Sequence, residues 1–221
     1  MTNQEILKCV DHTLLAATST WEQIQKICDE AIENKTASVC IPPTYIKRIA
    51  DKYGDAINIC TVIGFPLGYH TTSVKVCETK QAIADGAKEI DMVINLGDVK
   101  NGEFEKVTEE IKAIREATGD GILKVIIETC YLTEEEKIKL CKCVTDAKAD
   151  FIKTSTGFGT AGAKMEDILL FKEHIGKDVQ MKAAGGVKTK ADLEAFINAG
   201  CTRIGTSSAL KLLKNEEASA Y

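Results

Sequence analysis

Three prolines, all between residues 42 and 66, and no serine- or glycine-rich linker leave the chain without a marked domain boundary. No apolar stretch approaches the roughly 20 residues that a bilayer-spanning helix needs, so no membrane span is expected. The opening MTNQEILKCVDHTLL has neither the basic segment nor the apolar run of a secretory signal, and a cytoplasmic protein is expected. There is no CxxC pair. Nine cysteines lie scattered, only Cys141 and Cys143 close together, so reduced thiols packed as small hydrophobes are expected rather than a disulfide framework or zinc ribbon. His12, His70 and His174 form no metal-ligand pattern, and no metal is expected. Positive charge is also short: the net charge is −5 and the pI about 5.4, with lysines and acids interspersed. No basic stripe offers itself to nucleic acid or an anionic membrane.

What is present is a soluble core-forming composition, 44% hydrophobic and 28% charged over 221 residues. Eight short β-branched runs, near 9–11, 38–41, 59–63, 89–94, 122–128, 150–155, 179–183 and 202–205, alternate with amphipathic helical patterns. In TWEQIQKICDEAIENK, Trp21, Ile24, Ile27, Ala31 and Ile32 recur at helical spacing; in FEKVTEEIKAIREATG, Val107, Ile111 and Ile114 do the same before Gly119. Thr133 with Glu136, and Thr189 with Asp192, mark helix starts. Eight such repeats in a chain of this length predict a single-domain (β/α)8 TIM barrel. A doubly wound open sheet competes, weakened by the absence of GxGxxG after the first strand.

Alternation within the strands sharpens the picture, because successive side chains point to opposite faces. Ile90, Met92 and Ile94 share one face of EIDMVIN and Asp91 the other. Leu123, Val125 and Ile127 oppose Lys124 and Glu128; Val179, Met181 and Ala183 oppose Lys182. With the apolar faces turned to the helices, Asp91, Lys124, Glu128 and Lys182 converge inside, and Lys153 comes from the strand between. Interior charges are costly unless paired, and three lysines with two acids can satisfy one another. A lysine at a strand end also commonly runs along apolar surface with its ammonium in water, so the residues alone leave Lys153 open. Lys124 reads as a lower-layer ion-pair partner and Cys40 as packing.

A second signal is a set of glycine-bearing loops after three successive strands: STGFGTAG (155–162), AAGGVKT (183–189) and IGTSSAL (204–210). Glycine lets backbone N–H groups approach an anion, and barrel enzymes often bind phosphate in the loops after their last two strands.

The segments EIDMVINLG, LKVIIET, FIKTSTGFG, MKAAGGVKT and RIGTSSAL, with DHTLL near the start, resemble the deoxyribose-phosphate aldolase family, in order over nearly the whole chain. The resemblance implies a cofactor-free class I aldolase that reversibly cleaves 2-deoxy-D-ribose 5-phosphate to acetaldehyde and D-glyceraldehyde 3-phosphate. Its partners are then sugar phosphates and aldehydes, and its assembly a homodimer. By the family motif Lys153 forms the Schiff base, Lys182 is its cationic neighbour and Asp91 the acid of the proton relay. Thr156, Gly157, Gly185, Gly186, Lys188, Gly205, Ser207 and Ser208 are the implied substrate and phosphate contacts. Phe158 stands where some relatives place a basic residue. The tail from about 214 to 221 is expected to be mobile; Tyr221 either assists proton transfer, as the resemblance implies, or is a free end. A non-catalytic sugar-phosphate sensor would need the phosphate loops, but not both interior lysines and Asp91.

Overall fold

The computed structural model describes residues 1–214. The expectations for the tail beyond Lys214 and for Tyr221 therefore lie outside the described residues.

Eight strands occur where the alternating runs placed them: β1 (Val10–Thr13), β2 (Ser38–Ile41), β3 (Ile59–Ile63), β4 (Glu89–Val93), β5 (Ile122–Ile126), β6 (Phe151–Lys153), β7 (Gln180–Ala184) and β8 (Arg203–Thr206). All neighbours pair in parallel, and β8 pairs with β1 to close the barrel. The open-sheet alternative is thereby set aside. Asp11 is the register partner of Ser38 on one side and Gly205 on the other, so β1 completes the ring.

The helices among the described residues are α1 (Asn3–Leu7), α2 (Trp21–Asn34), α3 (Ile46–Tyr53), α4 (Thr72–Ala84), α5 (Leu96–Lys100), α6 (Phe104–Thr118), α7 (Glu134–Asp146), α8 (Met165–His174), α9 (Lys190–Ala199) and α10 (Ala209–Leu213). None is long and apolar enough to cross a membrane. Their starts follow local chemistry. Thr20, Thr133 and Thr189 each accept from the backbone N–H three residues on, while Gln23, Glu136 and Asp192 reach back to the cap. Gly119 and Gly200, both at positive φ, end α6 and α9.

Packing separates into two layers. The outward residues of the strands, among them Val39, Ile59, Ile90, Met92, Leu123, Val125, Ile152, Met181 and Ile204, join Ile24, Val107, Ile111, Ile114, Phe171 and Leu193 from the helices in one buried cluster. Burying each large aliphatic side chain contributes about 1.5–3 kcal/mol relative to leaving it in water. Inside the barrel, Leu15, Cys40, Cys60 and Val62 form a small separate apolar cluster; Val93, Ile126, Phe151 and Ala184 are buried on the same inward faces, beside the polar groups Asp11, Glu89, Asp91, Lys124, Lys153 and Lys182. Outside it, buried Lys75 of α4 donates to the Val93 carbonyl at 2.8 Å and to Glu110 of α6 at 2.9 Å, tying two helices to the upper end of β4.

Two runs extend two residues past the ends of their strands. β5 stops at Ile126 and β6 at Lys153. Glu128 then takes a left-handed conformation (φ 53°), which breaks the two-residue alternation and turns its side chain out of the series begun by Lys124.

Candidate active site

Asp91, at the middle of β4, is fully buried and collects the interior cations. Its Oδ1 accepts from Lys124 Nζ at 2.9 Å and from the Cys60 thiol at 3.2 Å. Its Oδ2 accepts from Lys153 Nζ at 2.7 Å and Lys182 Nζ at 2.6 Å. Four donors fill the acceptor positions of a carboxylate, so Asp91 is held ionised with no open lone pair. Burial alone would raise its pKa; the Lys124, Lys153 and Lys182 ammonium groups outweigh burial and hold it well below the ordinary value.

The three lysines arrive there for a topological reason. β4–β5 and β6–β7 pair so that Asp91 stands beside Lys124 and Lys153 beside Lys182. Lys153 ends its strand at the C-terminal rim, where barrel enzymes build their sites. Lys182 and Lys124 sit deeper and are fully buried. Desolvation lowers an ammonium's pKa, yet Lys182 is raised because Asp11 and Asp91 both face it. Lys124 is held well above its ordinary value by Asp91, Cys60, Asp11 and Glu89. Both therefore stay cationic. Lys124 is the ion-pair partner expected, reaching Glu89 at 2.5 Å as well as Asp91.

Beneath these groups lies a second polar layer that the alternation argument had not assembled. Asp11 Oδ2 accepts from Lys182 at 2.5 Å, and its Oδ1 accepts from Arg203 at 2.6 Å and from the Ser38 hydroxyl at 2.8 Å. Arg203 also clamps Glu89 with two donors, at 2.8 and 2.9 Å. The same parity rule would have found them: Asp11 opposes Val10 and His12, and Arg203 opposes Ile204. His12 faces outward, its Nε2 lying 2.8 Å from Glu30 Oε2 on α2.

Glu128 does not join the cluster. Its carboxylate accepts from the Thr156 N–H at 3.1 Å and from the Thr156 hydroxyl, and burial raises its pKa. Thr156 Oγ1 in turn accepts from the Phe158 N–H at 3.0 Å. The loop after β6 is thus pinned to the end of β5.

The glycine loops after β6 and β7 press together. A Cβ on Gly162 would lie 2.3 Å from the Gly185 carbonyl carbon and 2.6 Å from Gly186 N, so only glycine fits there. Gly185 and Gly186 both have positive φ. The Ala163 N–H donates to the Ala184 and Gly185 carbonyls at 3.1 Å each. Gly157 is exposed at the same rim, Ser207 is half-buried and Ser208 buried. The Lys188 side chain is exposed, but its N–H and that of Thr189 both donate to Asp192 at 2.9 Å. The start of α9 is therefore occupied by its own aspartate. Gly205 lies within β8 rather than in the loop, and a Cβ there would stand 3.2 Å from Lys182 Cε; its missing side chain makes room for that lysine.

Cys40, Cys60 and Asp91 bring three potential metal ligands within 4.8 Å of one another. The same spot holds three ammonium groups on Asp91, which repel a divalent cation.

Residues 6–213 match the profile of the DeoC/LacD family aldolases. The chain is 67% identical over 221 residues, the whole of both sequences, to deoxyribose-phosphate aldolase of Clostridium botulinum (strain Alaska E43 / Type E3). It is 59% identical over 218 residues to the enzyme of that name from Clostridioides difficile (strain 630), covering 99% of this chain and 100% of the other. Among solved structures, the tetrameric deoxyribose phosphate aldolase from Aeropyrum pernix superposes with a TM-score of 0.90 at 28% identity, over 97% of this chain and 92% of that one.

Proposed function

This chain belongs to the DeoC/LacD family of aldolases, and from that premise we propose that it reversibly cleaves 2-deoxy-D-ribose 5-phosphate to acetaldehyde and D-glyceraldehyde 3-phosphate through an imine on Lys153. The observation that carries the reading is the single Asp91 oxygen shared by Lys153, at 2.7 Å, and Lys182, at 2.6 Å, with Lys153 at the C-terminal end of its strand.

A free lysine amine is almost wholly protonated at neutral pH and must lose that proton to attack a carbonyl. Lys182 stands beside Lys153 and donates to the same Asp91 oxygen. The neutral amine adds to C1 of the open-chain sugar, and the carbinolamine takes up a proton and loses water to give an iminium. The C3 hydroxyl loses its proton, the C2–C3 bond breaks, and its electron pair flows into the iminium to form an enamine. Protonation at C2 and hydrolysis then release acetaldehyde. Converting Lys153 to an iminium leaves its nitrogen one N–H in place of three, which frees acceptor capacity on Asp91 Oδ2. The lone pair so opened faces the bound substrate with Lys182 still attached, and this pair, through a water, carries the C3 and C2 protons by general acid–base catalysis.

Gly157, Gly185, Gly186, Gly205, Ser207 and Ser208, with Lys188 at the rim, hold the phosphate, and Thr156 steadies the loop. No metal or cofactor enters the reaction. The assembly is a homodimer, although the Aeropyrum pernix relative is described as a tetramer; light scattering distinguishes the two. Free cysteines throughout fit a reducing cytoplasm. The decisive experiment is borohydride reduction in the presence of acetaldehyde, followed by mass spectrometry: the ethyl adduct is expected on Lys153. No adduct on the well-folded protein, together with no retro-aldol turnover, overturns the reading.

A further inference from the structure

We infer that Glu89 and Arg203, at the floor of the barrel and away from the substrate, act as a positioning pair that sets the pH at which Lys153 becomes nucleophilic. The inference rests on the imine reading of Lys153.

Glu89 and Arg203 are the first residues of β4 and β8, so they lie at the end of the barrel opposite Lys153. From them a chain of alternating charges runs up to the rim. Glu89 binds Arg203 at 2.8 and 2.9 Å, Arg203 binds Asp11 at 2.6 Å, and Asp11 binds Lys182 at 2.5 Å. Lys182 binds Asp91 at 2.6 Å, and Asp91 binds Lys153 at 2.7 Å. Lys124 cross-links the chain, touching Glu89 at 2.5 Å, Asp91 at 2.9 Å and Asp11 at 3.6 Å. The side chains are at most 4% exposed, except Arg203 at 14%. Little solvent is available to screen one charge from the next.

A buried ionic network is weak evidence for stability, because well-packed apolar residues of similar volume often replace one without loss. The count of charges has a chemical consequence instead. Four cationic side chains, Lys124, Lys153, Lys182 and Arg203, face three carboxylates, Asp11, Glu89 and Asp91. The assembly carries one positive charge in excess when all are ionised. Asp11 and Asp91 are held low, and Lys124, Lys182 and Arg203 high, by their mutual attraction against burial. Lys153, the terminal member at the rim, pairs with one carboxylate only, whereas Lys124, Lys182 and Arg203 each pair with two or more. The remaining titratable groups near it are the Cys40 and Cys60 thiols of β2 and β3 and Glu128 after β5. Cys60 is pushed well up by burial, Cys40 is lowered by the Cys60 hydrogen bond, and Glu128 is bound to Thr156 outside the chain.

The test is the pH dependence of acetaldehyde trapping on Lys153 by borohydride, read by mass spectrometry, in the full-length protein and four variants. Arg203→Met removes a cation, so the midpoint moves up by about one pH unit, the effect of a unit charge over roughly 10 Å at an effective dielectric near 20. Glu89→Gln removes a carboxylate, and the midpoint moves down by a similar amount. The double variant returns to the wild-type profile, and Arg203→Lys, which keeps the charge, stays there. Single-variant shifts in one common direction, or Arg203→Lys shifting like Arg203→Met, overturn the inference. Glu89→Gln keeps its volume and an acceptor for Arg203, so it stands if Arg203→Met does not fold; an unshifted profile in that variant alone overturns the inference. Absence of any wild-type adduct overturns the imine reading as well, whereas a normal wild-type adduct with unmoved variant profiles overturns only this one.

Discussion

Lys153 and Lys182 are register partners on adjacent parallel strands, and their ammonium groups donate to the same oxygen of Asp91. One carboxylate thereby keeps two like charges side by side, and any change at one of the three is felt by the other two.

Lys153→Arg preserves the positive charge but cannot form an imine. Retro-aldol turnover is expected to vanish while binding of glyceraldehyde 3-phosphate, followed by calorimetry, stays within a few-fold of wild type. Measurable turnover by this variant would count against Lys153 as the nucleophile.

Asp91→Asn replaces an oxygen that accepts from ammonium groups with an amide that presents N–H groups toward them. The three lysines lose their common counter-ion. Breaking a buried ion pair by removing one partner costs about 3–5 kcal/mol, and a loss in that range is expected in urea unfolding. Turnover should fall by at least two orders of magnitude, the low end of general acid–base contributions.

Acid should unfold the protein through its interior. The carboxyls of Asp11 and Asp91 are held below their ordinary value of 3.8 in the folded state, burial being outweighed by the surrounding cations. Their contribution is full above that value and is lost as the pH falls toward the lowered ones. The urea midpoint is therefore expected to drop steeply below pH 3.8. Asp55→Asn, which removes an exposed partner of Lys88, should leave that drop in place. On the basic side Lys124 and Lys182 are raised above 10.5. Their contribution is full below that value and is lost only as the pH rises through the raised ones, so these two cause no loss up to about pH 10.5.

Gly162→Ala should separate the two halves of the site. The added methyl would collide with the backbone of Gly185 and Gly186 and displace the loop after β7. KM for the phosphorylated sugar is expected to rise about tenfold or more, while trapping of acetaldehyde, which carries no phosphate, changes little. Equal loss in both assays would remove the loop from the phosphate site.

Much of this is legible in the sequence itself. The strands followed from β-branched runs, and the inward set Asp91, Lys124 and Lys182 from alternation, because a parallel barrel has an apolar exterior that makes parity readable. Parity also places Asp11 and Arg203 inward, but their strands, VDHT and RIGT, are four residues each and carry polar side chains on both faces, so the pattern stands out less than in β4, β5 and β7. Alternation carried past the true end of β5 puts Glu128 with the cluster. A left-handed residue at 128 cannot be anticipated from glutamate. Gly162 lay inside a quoted glycine loop, but its need arises from a contact with a loop more than 20 residues away in sequence, which no local pattern records.

The division between an apolar outer layer and an ionic inner one also fixes which errors the gene can survive. Inserting or deleting one codon within β4, β5 or β7 would exchange the faces of everything downstream in that strand. Asp91 would trade places with Met92, or Lys182 with Ala183, sending a charge into the oily seam beneath the helices and a hydrocarbon into the ring of ions. Frame within a strand, more than the identity of most residues along it, is what this barrel cannot lose.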